Sequence, residues 1–225
     1  MRGIKAHVVM PKNAPDIKKK AVMGYGAEIT FCEPTLEERE TTLDSVIEKT
    51  GAVEIHPFDD PLVIAGQGTA ALELMNEIDD LDAILAPVGG GGLICGTAIA
   101  VAGMGNAVSV FAAEPKNADD AFQSFKSGKF VPQTNPDTIA DGLLTSLSEL
   151  TLSIIIEHVS DIFIVTEEEI ITAMRRVWER MKIIIEPSSA VPVGAVLNQK
   201  NGLTGKKVGV ILTGGNVDLE KLRWS

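Results

Sequence analysis

The chain has 225 residues, 45% of them hydrophobic, enough to bury one large core or two small ones. Its net charge of −11 argues against nucleic acid, which calls for a basic footprint. Two cysteines, Cys32 and Cys95, without CxxC or Cys/His spacing suggest no zinc site and suit a reducing cytoplasm; no apolar signal-like segment opens the chain.

Ala6 to Met10 reads as a short strand ended by Pro11, and Ala14 to Met23 as a helix with Pro15 in its first turn. A strand at Glu28–Cys32 and a charged helix from Leu36 to Lys49 follow, and Val53-Glu54-Ile55 reads as a third strand. This alternation predicts a parallel α/β layer with right-handed crossovers. The Pro/Asp-rich segment from His56 to Pro61 divides the chain into a small domain over 1–58 and a large one over 59–225. In the second part a helix is expected over Leu62 to Ile78, strands at Asp82–Ala86 and Val108–Ala113, and a small-residue helix at Thr97–Ala102. Helices then follow at Ala118–Ser127 and Glu149–His158, and a strand at Asp161–Val165. Thr166-Glu167-Glu168-Glu169 predicts a capped helix to about Lys182, Ser188 to Asn198 a further helix, and Val208 to Leu212 the last strand. The stretch from Ala83 to Ala113 carries no charge, but Pro87 and its glycines break it into strand, loop, helix and strand, so no membrane span is expected.

Gly89-Gly90-Gly91-Gly92, between a buried strand and a helix, predicts a side-chain-free concavity of backbone N–H groups that holds a phosphate. One reading is a dinucleotide fold, with Glu114, 25 residues after Gly89, as the ribose-binding acid. Against it stand the wrong glycine spacing and the acidic cluster Asn117-Ala118-Asp119-Asp120. The other reading is pyridoxal phosphate (PLP), and it rests on a resemblance.

Pro87-Val88-Gly89-Gly90-Gly91-Gly92-Leu93, Ala113-Glu114-Pro115, Ile139-Ala140-Asp141-Gly142, Ile185-Glu186-Pro187-Ser188 and Thr213-Gly214-Gly215-Asn216 occur in this order. Together they resemble the serine racemase/serine-threonine dehydratase family of fold-type-II PLP enzymes. The wording of Val63-Ile64-Ala65-Gly66-Gln67-Gly68-Thr69 and Asn216-Val217-Asp218-Leu219 leans toward the racemase side. The resemblance implies two parallel-sheet α/β domains of the tryptophan-synthase-β-like type, the first incomplete, and PLP-dependent serine racemisation with serine/threonine dehydration. L-Serine, D-serine and L-threonine are the implied substrates, and a cytoplasmic homodimer the implied form. It assigns Gly89, Gly90, Gly91, Gly92 and Leu93 to the cofactor phosphate and Thr213 to the pyridine nitrogen, where the family more often has Ser. It assigns Glu114, the Ala118 carbonyl and Asp120 to Mg²⁺ or Ca²⁺, and Lys182 and Asn216 to a nucleotide effector, ATP. On the residues alone, two carboxylates and a carbonyl suit such a cation, and Asn117 or Asp119 capping the next helix is the plainer alternative.

The family's Schiff-base lysine sits in a Ser-x-Lys-x-Arg-Gly-like motif and its opposing serine in a Ser-Gly-Asn-His loop. Neither motif occurs in this sequence. The expectation is therefore an N-terminally truncated chain that has no catalytic residue of its own and is inactive alone, or a non-catalytic relative.

Overall fold

The computed structural model describes residues 3–105, 107–198 and 202–221. The chain divides into two compact units, one of residues 3–55 with 216–221 and the other His56–Gly215.

In the first unit, β1 (His7–Pro11), α1 (Asp16–Gly24), β2 (Glu28–Cys32) and α2 (Leu36–Thr50) follow one another. β1 and β2 pair in parallel, with His7 opposite Glu28 and Pro11 opposite Cys32, and α1 is the crossover such a pair requires. Thr35 starts α2 by accepting the Glu38 N–H on its hydroxyl, and Gly51, at φ +67°, stops it. The expected third strand at Val53–Ile55 does not form. Val53 and Ile55 are 87% and 73% exposed, and the sheet remains two-stranded. Alternating branched residues favour a strand only where a neighbour's backbone and an apolar face receive them.

The second unit holds α3 (Pro61–Glu77), β3 (Ala83–Pro87), α4 (Gly92–Met104), β4 (Ser109–Pro115), α5 (Asp120–Ser127), a 3-10 turn (Asp141–Leu143) and α6 (Glu149–His158). It continues with β5 (Asp161–Val165), α7 (Glu167–Met181), α8 (Pro187–Leu197) and β6 (Val208–Val210). Its four strands are all parallel in the order β5-β4-β3-β6. All five residues of β3 are buried, as the unbroken apolar run of a central parallel strand requires. Ile84 and Ala86 from β3, Ile94 and Ala98 from α4, and Val110 and Ala112 from β4 sit in one core cluster. α4 is longer than expected from the sequence, because its first turn is built from Gly92 to Cys95 rather than beginning at Thr97. α3 and α4 cross at two glycines: a Cβ on Gly96 would stand 2.3 Å from the Ile64 carbonyl oxygen, and one on Gly68 would stand 2.7 Å from the Gly96 carbonyl oxygen. Among the described residues, no helix is long and apolar enough to cross a membrane.

Candidate cofactor-binding site

Three strands of the second unit deliver candidate residues at or just beyond their carboxyl ends: β3 the glycine loop, β4 Glu114, and β6 Thr213. Because the strands are parallel, these ends share one edge of the sheet, where open α/β sheets bind ligands.

At the centre, Val88 extends the β3–β4 ladder by donating its N–H to the Ala113 carbonyl at 3.0 Å. Gly91 then turns at φ +95°, a conformation that any side chain would strain, and stands as the N-cap of α4 without a capping side chain. The first bond closing the helix comes only at Cys95, whose N–H donates to the Gly91 carbonyl at 2.9 Å. Among the described residues, no protein acceptor takes the N–H of Gly89, Gly90, Gly91, Gly92 or Leu93, although all four glycines are buried. Buried unpaired donors are costly, and here five unpaired N–H groups, four of them on buried glycines, gather at the positive end of a helix. An anion is the ligand that satisfies them.

The other face of the loop is closed by protein. A Cβ on Gly89 would lie 3.0 Å from Leu143 Cα, on Gly90 2.2 Å from Phe58 Cδ1, on Gly91 2.7 Å from Thr151 Cβ, and on Gly92 3.0 Å from Phe58 Cβ. The loop is glycine throughout because neighbouring chain occupies the side-chain positions.

Thr213 is exposed, and its N–H donates to Ser189 Oγ at 2.9 Å. The adjacent Ser188 Oγ accepts the Gly142 N–H at 3.0 Å, so two buried serines in the first turn of α8 tie down two of the quoted motifs. Neither Ser189 nor Phe58 stands out in the sequence. Ser188 does appear beside Glu186-Pro187, where Pro187 marks a helix start.

Glu114 is 1% exposed, and its two carboxylate oxygens accept the N–H groups of Ala121 at 3.0 Å and Phe122 at 2.8 Å. It thereby caps α5 from the end of β4. Asp119 holds the N-cap position but makes no capping bond, and its Oδ1 accepts from Gln123 Nε2 at 2.7 Å instead. Burial pushes the Glu114 carboxyl up to about 9, against the two amide bonds that pull it down, and nearby Asp120 adds to the rise. Asp120 is raised to about 6, again chiefly by burial. Its Oδ1 accepts from Gln133 Nε2 at 2.8 Å, whereas its buried Oδ2 meets no hydrogen-bond partner in good geometry among the described residues. Among the described residues no three His, Cys, Asp or Glu side chains converge as a metal site.

Lys182 is the left-handed C-cap of α7, at φ +60°, with Nζ donating to the Glu179 carbonyl at 2.6 Å. Asn216 belongs to the other compact unit.

A family profile described as pyridoxal-phosphate dependent enzyme matches residues 1–214. The chain belongs to the pyridoxal-phosphate dependent enzymes. It is 48% identical over 225 residues to a β-hydroxyaspartate dehydratase of Paracoccus denitrificans, covering 100% of this chain and 71% of the relative. It is 51% identical over 226 residues to a serine racemase of Dictyostelium discoideum, covering 99% of this chain and 70% of the relative. Among solved structures, a T.th. threonine deaminase superposes with a TM-score of 0.90 at 43% identity, covering 96% of this chain and 71% of that one. The parallel α/β architecture of this pyridoxal-phosphate dependent enzyme is thus that of the fold-type-II group.

Proposed function

We propose that this PLP-dependent racemase or lyase, in its full-length form, acts at the Cα–H bond of small 3-hydroxy amino acids, interconverting L- and D-serine and eliminating water from serine and threonine. The single observation that carries the cofactor site is the set of unpaired N–H groups at residues 89–93, which fits a phosphate dianion at the start of α4. In this reading Gly89, Gly90, Gly91, Gly92 and Leu93 hold the phosphate through backbone amides. Thr213 offers a hydroxyl to the pyridine nitrogen, held in position by Ser189. When bound, PLP supplies an electron-withdrawing ring that accepts the electron pair left as the Cα proton departs. A neutral hydroxyl partner leaves that ring a tempered electron sink, which suits proton removal followed by racemisation or β-elimination.

Glu114, the Ala118 carbonyl and Asp120 hold Mg²⁺ or Ca²⁺ in the same proposal. The buried Asp120 Oδ2, which meets no hydrogen-bond partner in good geometry among the described residues, and the burial-raised Glu114 are what a hard cation would relieve. A cytoplasmic homodimer completes the reading and rests on the motif match. A second reading, elimination without racemisation, is favoured by the Paracoccus dehydratase among the relatives.

Because the sequence contains no Ser-x-Lys-x-Arg-Gly motif, these 225 residues alone are proposed to bind PLP without turning substrate over. Equilibrium dialysis with PLP and assays for D-serine, pyruvate and 2-oxobutanoate test this. Reversible binding and no product is the expected set. Absence of binding overturns the cofactor site, and product overturns the inactivity. Joining a lysine-bearing segment of a relative to the amino terminus should restore product, and the ratio of D-serine to pyruvate then decides between racemase and dehydratase.

A further inference from the structure

The segment His56-Pro57-Phe58-Asp59-Asp60, just before α3, runs along the closed face of the glycine loop and is fastened at His56, Asp59 and Asp60. His56 Nδ1 accepts the Asp59 N–H at 2.8 Å, and the His56 ring meets the Phe58 ring edge-on, with centroids 4.6 Å apart at 87°. Asp60 Oδ1 accepts the N–H groups of Leu62 at 2.7 Å and Val63 at 3.2 Å, capping α3. Asp59 Oδ1 accepts from Ser148 Oγ at 2.6 Å. Ser148 opens α6 in a capping box with Thr151, and Thr151 is the side chain packed against Gly91. One hydrogen bond therefore links the segment behind Gly90 to the helix turn behind Gly91.

The ring of Phe58 leaves no space at Gly90: a Cβ there would lie 2.2, 2.4 and 2.5 Å from its Cδ1, Cγ and Cε1. A rigid aromatic plane cannot yield as a flexible chain end would, and it offers no acceptor to compete for the loop's N–H groups. We propose that Phe58 is the positioning residue of the phosphate cradle. Its ring fixes the path of the chain from Gly90 to Gly92 so that the N–H groups stay directed at the anion, and the ring, not the phosphate, is what demands glycine at position 90. This rests on the reading of residues 89–93 as a phosphate site.

The test uses the whole 225-residue chain as wild type, F58A, F58L, G90A and F58A/G90A. Dissociation constants are measured for PLP and for pyridoxal, which lacks the phosphate, with inorganic phosphate as competitor and thermal midpoints recorded alongside. F58A is expected to weaken PLP about tenfold, the scale of one lost charge-assisted hydrogen bond, and to leave pyridoxal unchanged, with F58L between. G90A should lose PLP, and F58A/G90A should bind it more tightly than G90A because the obstructing ring is gone. A double variant no better than G90A, or an F58A that binds both ligands as wild type does or weakens both equally, overturns the proposal. Should G90A fail to fold, the PLP-to-pyridoxal ratio in F58A and F58L decides alone. Wild type that binds no PLP sinks the phosphate site itself, whereas normal wild-type binding with unaltered F58A sinks only the role of Phe58.

Discussion

Glu114 Oε2 accepts the Phe122 N–H at 2.8 Å, so a carboxyl group at the end of β4 serves as the helix cap of α5. Burial nevertheless raises that carboxyl to about 9 from an ordinary 4.5, and this fixes the sign of a pH effect. The folded chain keeps a proton that the unfolded chain releases. Stability from this group is therefore full below about pH 4.5 and falls as pH rises toward about 9, by at most about 1.4 kcal/mol per pH unit. A divalent cation at Glu114 and Asp120 would stand in for the proton. Thermal melts from about pH 6 to about pH 8.5 should show the midpoint falling without metal and recovering with millimolar Mg²⁺ or Ca²⁺, most at the alkaline end. Glu114→Gln should flatten the pH dependence and abolish the metal response. Equal response of the variant would rule out this locus.

The crossing of α3 on α4 depends on the missing Cβ of Gly96, which would face the Ile64 carbonyl oxygen at 2.3 Å and the Gly68 nitrogen at 2.6 Å. Both obstacles are backbone, so the helices must separate. Gly96→Ala should cost about 2–3 kcal/mol by urea unfolding. Gly103, in the last turn of the same helix, has nothing within 4 Å of its absent Cβ, and Gly103→Ala should be neutral or stabilising by up to about 1 kcal/mol. Equal costs for the two would mean that helix propensity, not crossing, governs both.

Cys95 is fully buried, donates its thiol to the Thr151 carbonyl at 3.3 Å, and has its thiol pKa pushed up to about 12 by burial. It is a packing residue behind the glycine loop rather than a nucleophile. A thiol reagent at about pH 8 should leave Cys95 unlabelled in the native chain and label it in urea, read by peptide mass. Native labelling would show that the loop opens to solvent.

The glycine loop and the parallel sheet were legible because four glycines sit between an apolar run and a helical one, and because α7 carries its capping box openly. Glu169 N donates to Thr166 Oγ1 at 3.3 Å, and Thr166 N donates to Glu169 Oε2 at 2.8 Å. Val53–Ile55 has the branched alternation of a strand yet finds no ladder partner, since pairing is decided by residues far away in sequence. The start of α4 was hidden because glycines signal loop, whereas here tertiary packing leaves no other residue room to begin the helix. In the sequence Phe58 is one residue of a Pro/Asp-rich connection. Its role depends on Gly90 and on Ser148, 32 and 90 positions away, and no local pattern encodes that.

Ser189 is fully buried and accepts the Thr213 N–H at 2.9 Å, and this bond sets where the Thr213 hydroxyl can stand. If that hydroxyl partners the pyridine nitrogen, Thr213→Ser should bind PLP like wild type, while Thr213→Val should bind it about tenfold more weakly, the cost of one lost polar contact. Ser189→Ala should fall between them by freeing the backbone beneath Thr213. The nitrogen is common to both ligands, so Thr213→Val should weaken PLP and pyridoxal by the same factor, opposite in pattern to the phosphate-selective loss expected for Phe58→Ala. Dialysis against each ligand separates the two patterns. A Thr213→Val chain that keeps its pyridoxal affinity would show that the threonine is only a turn residue ahead of Gly214.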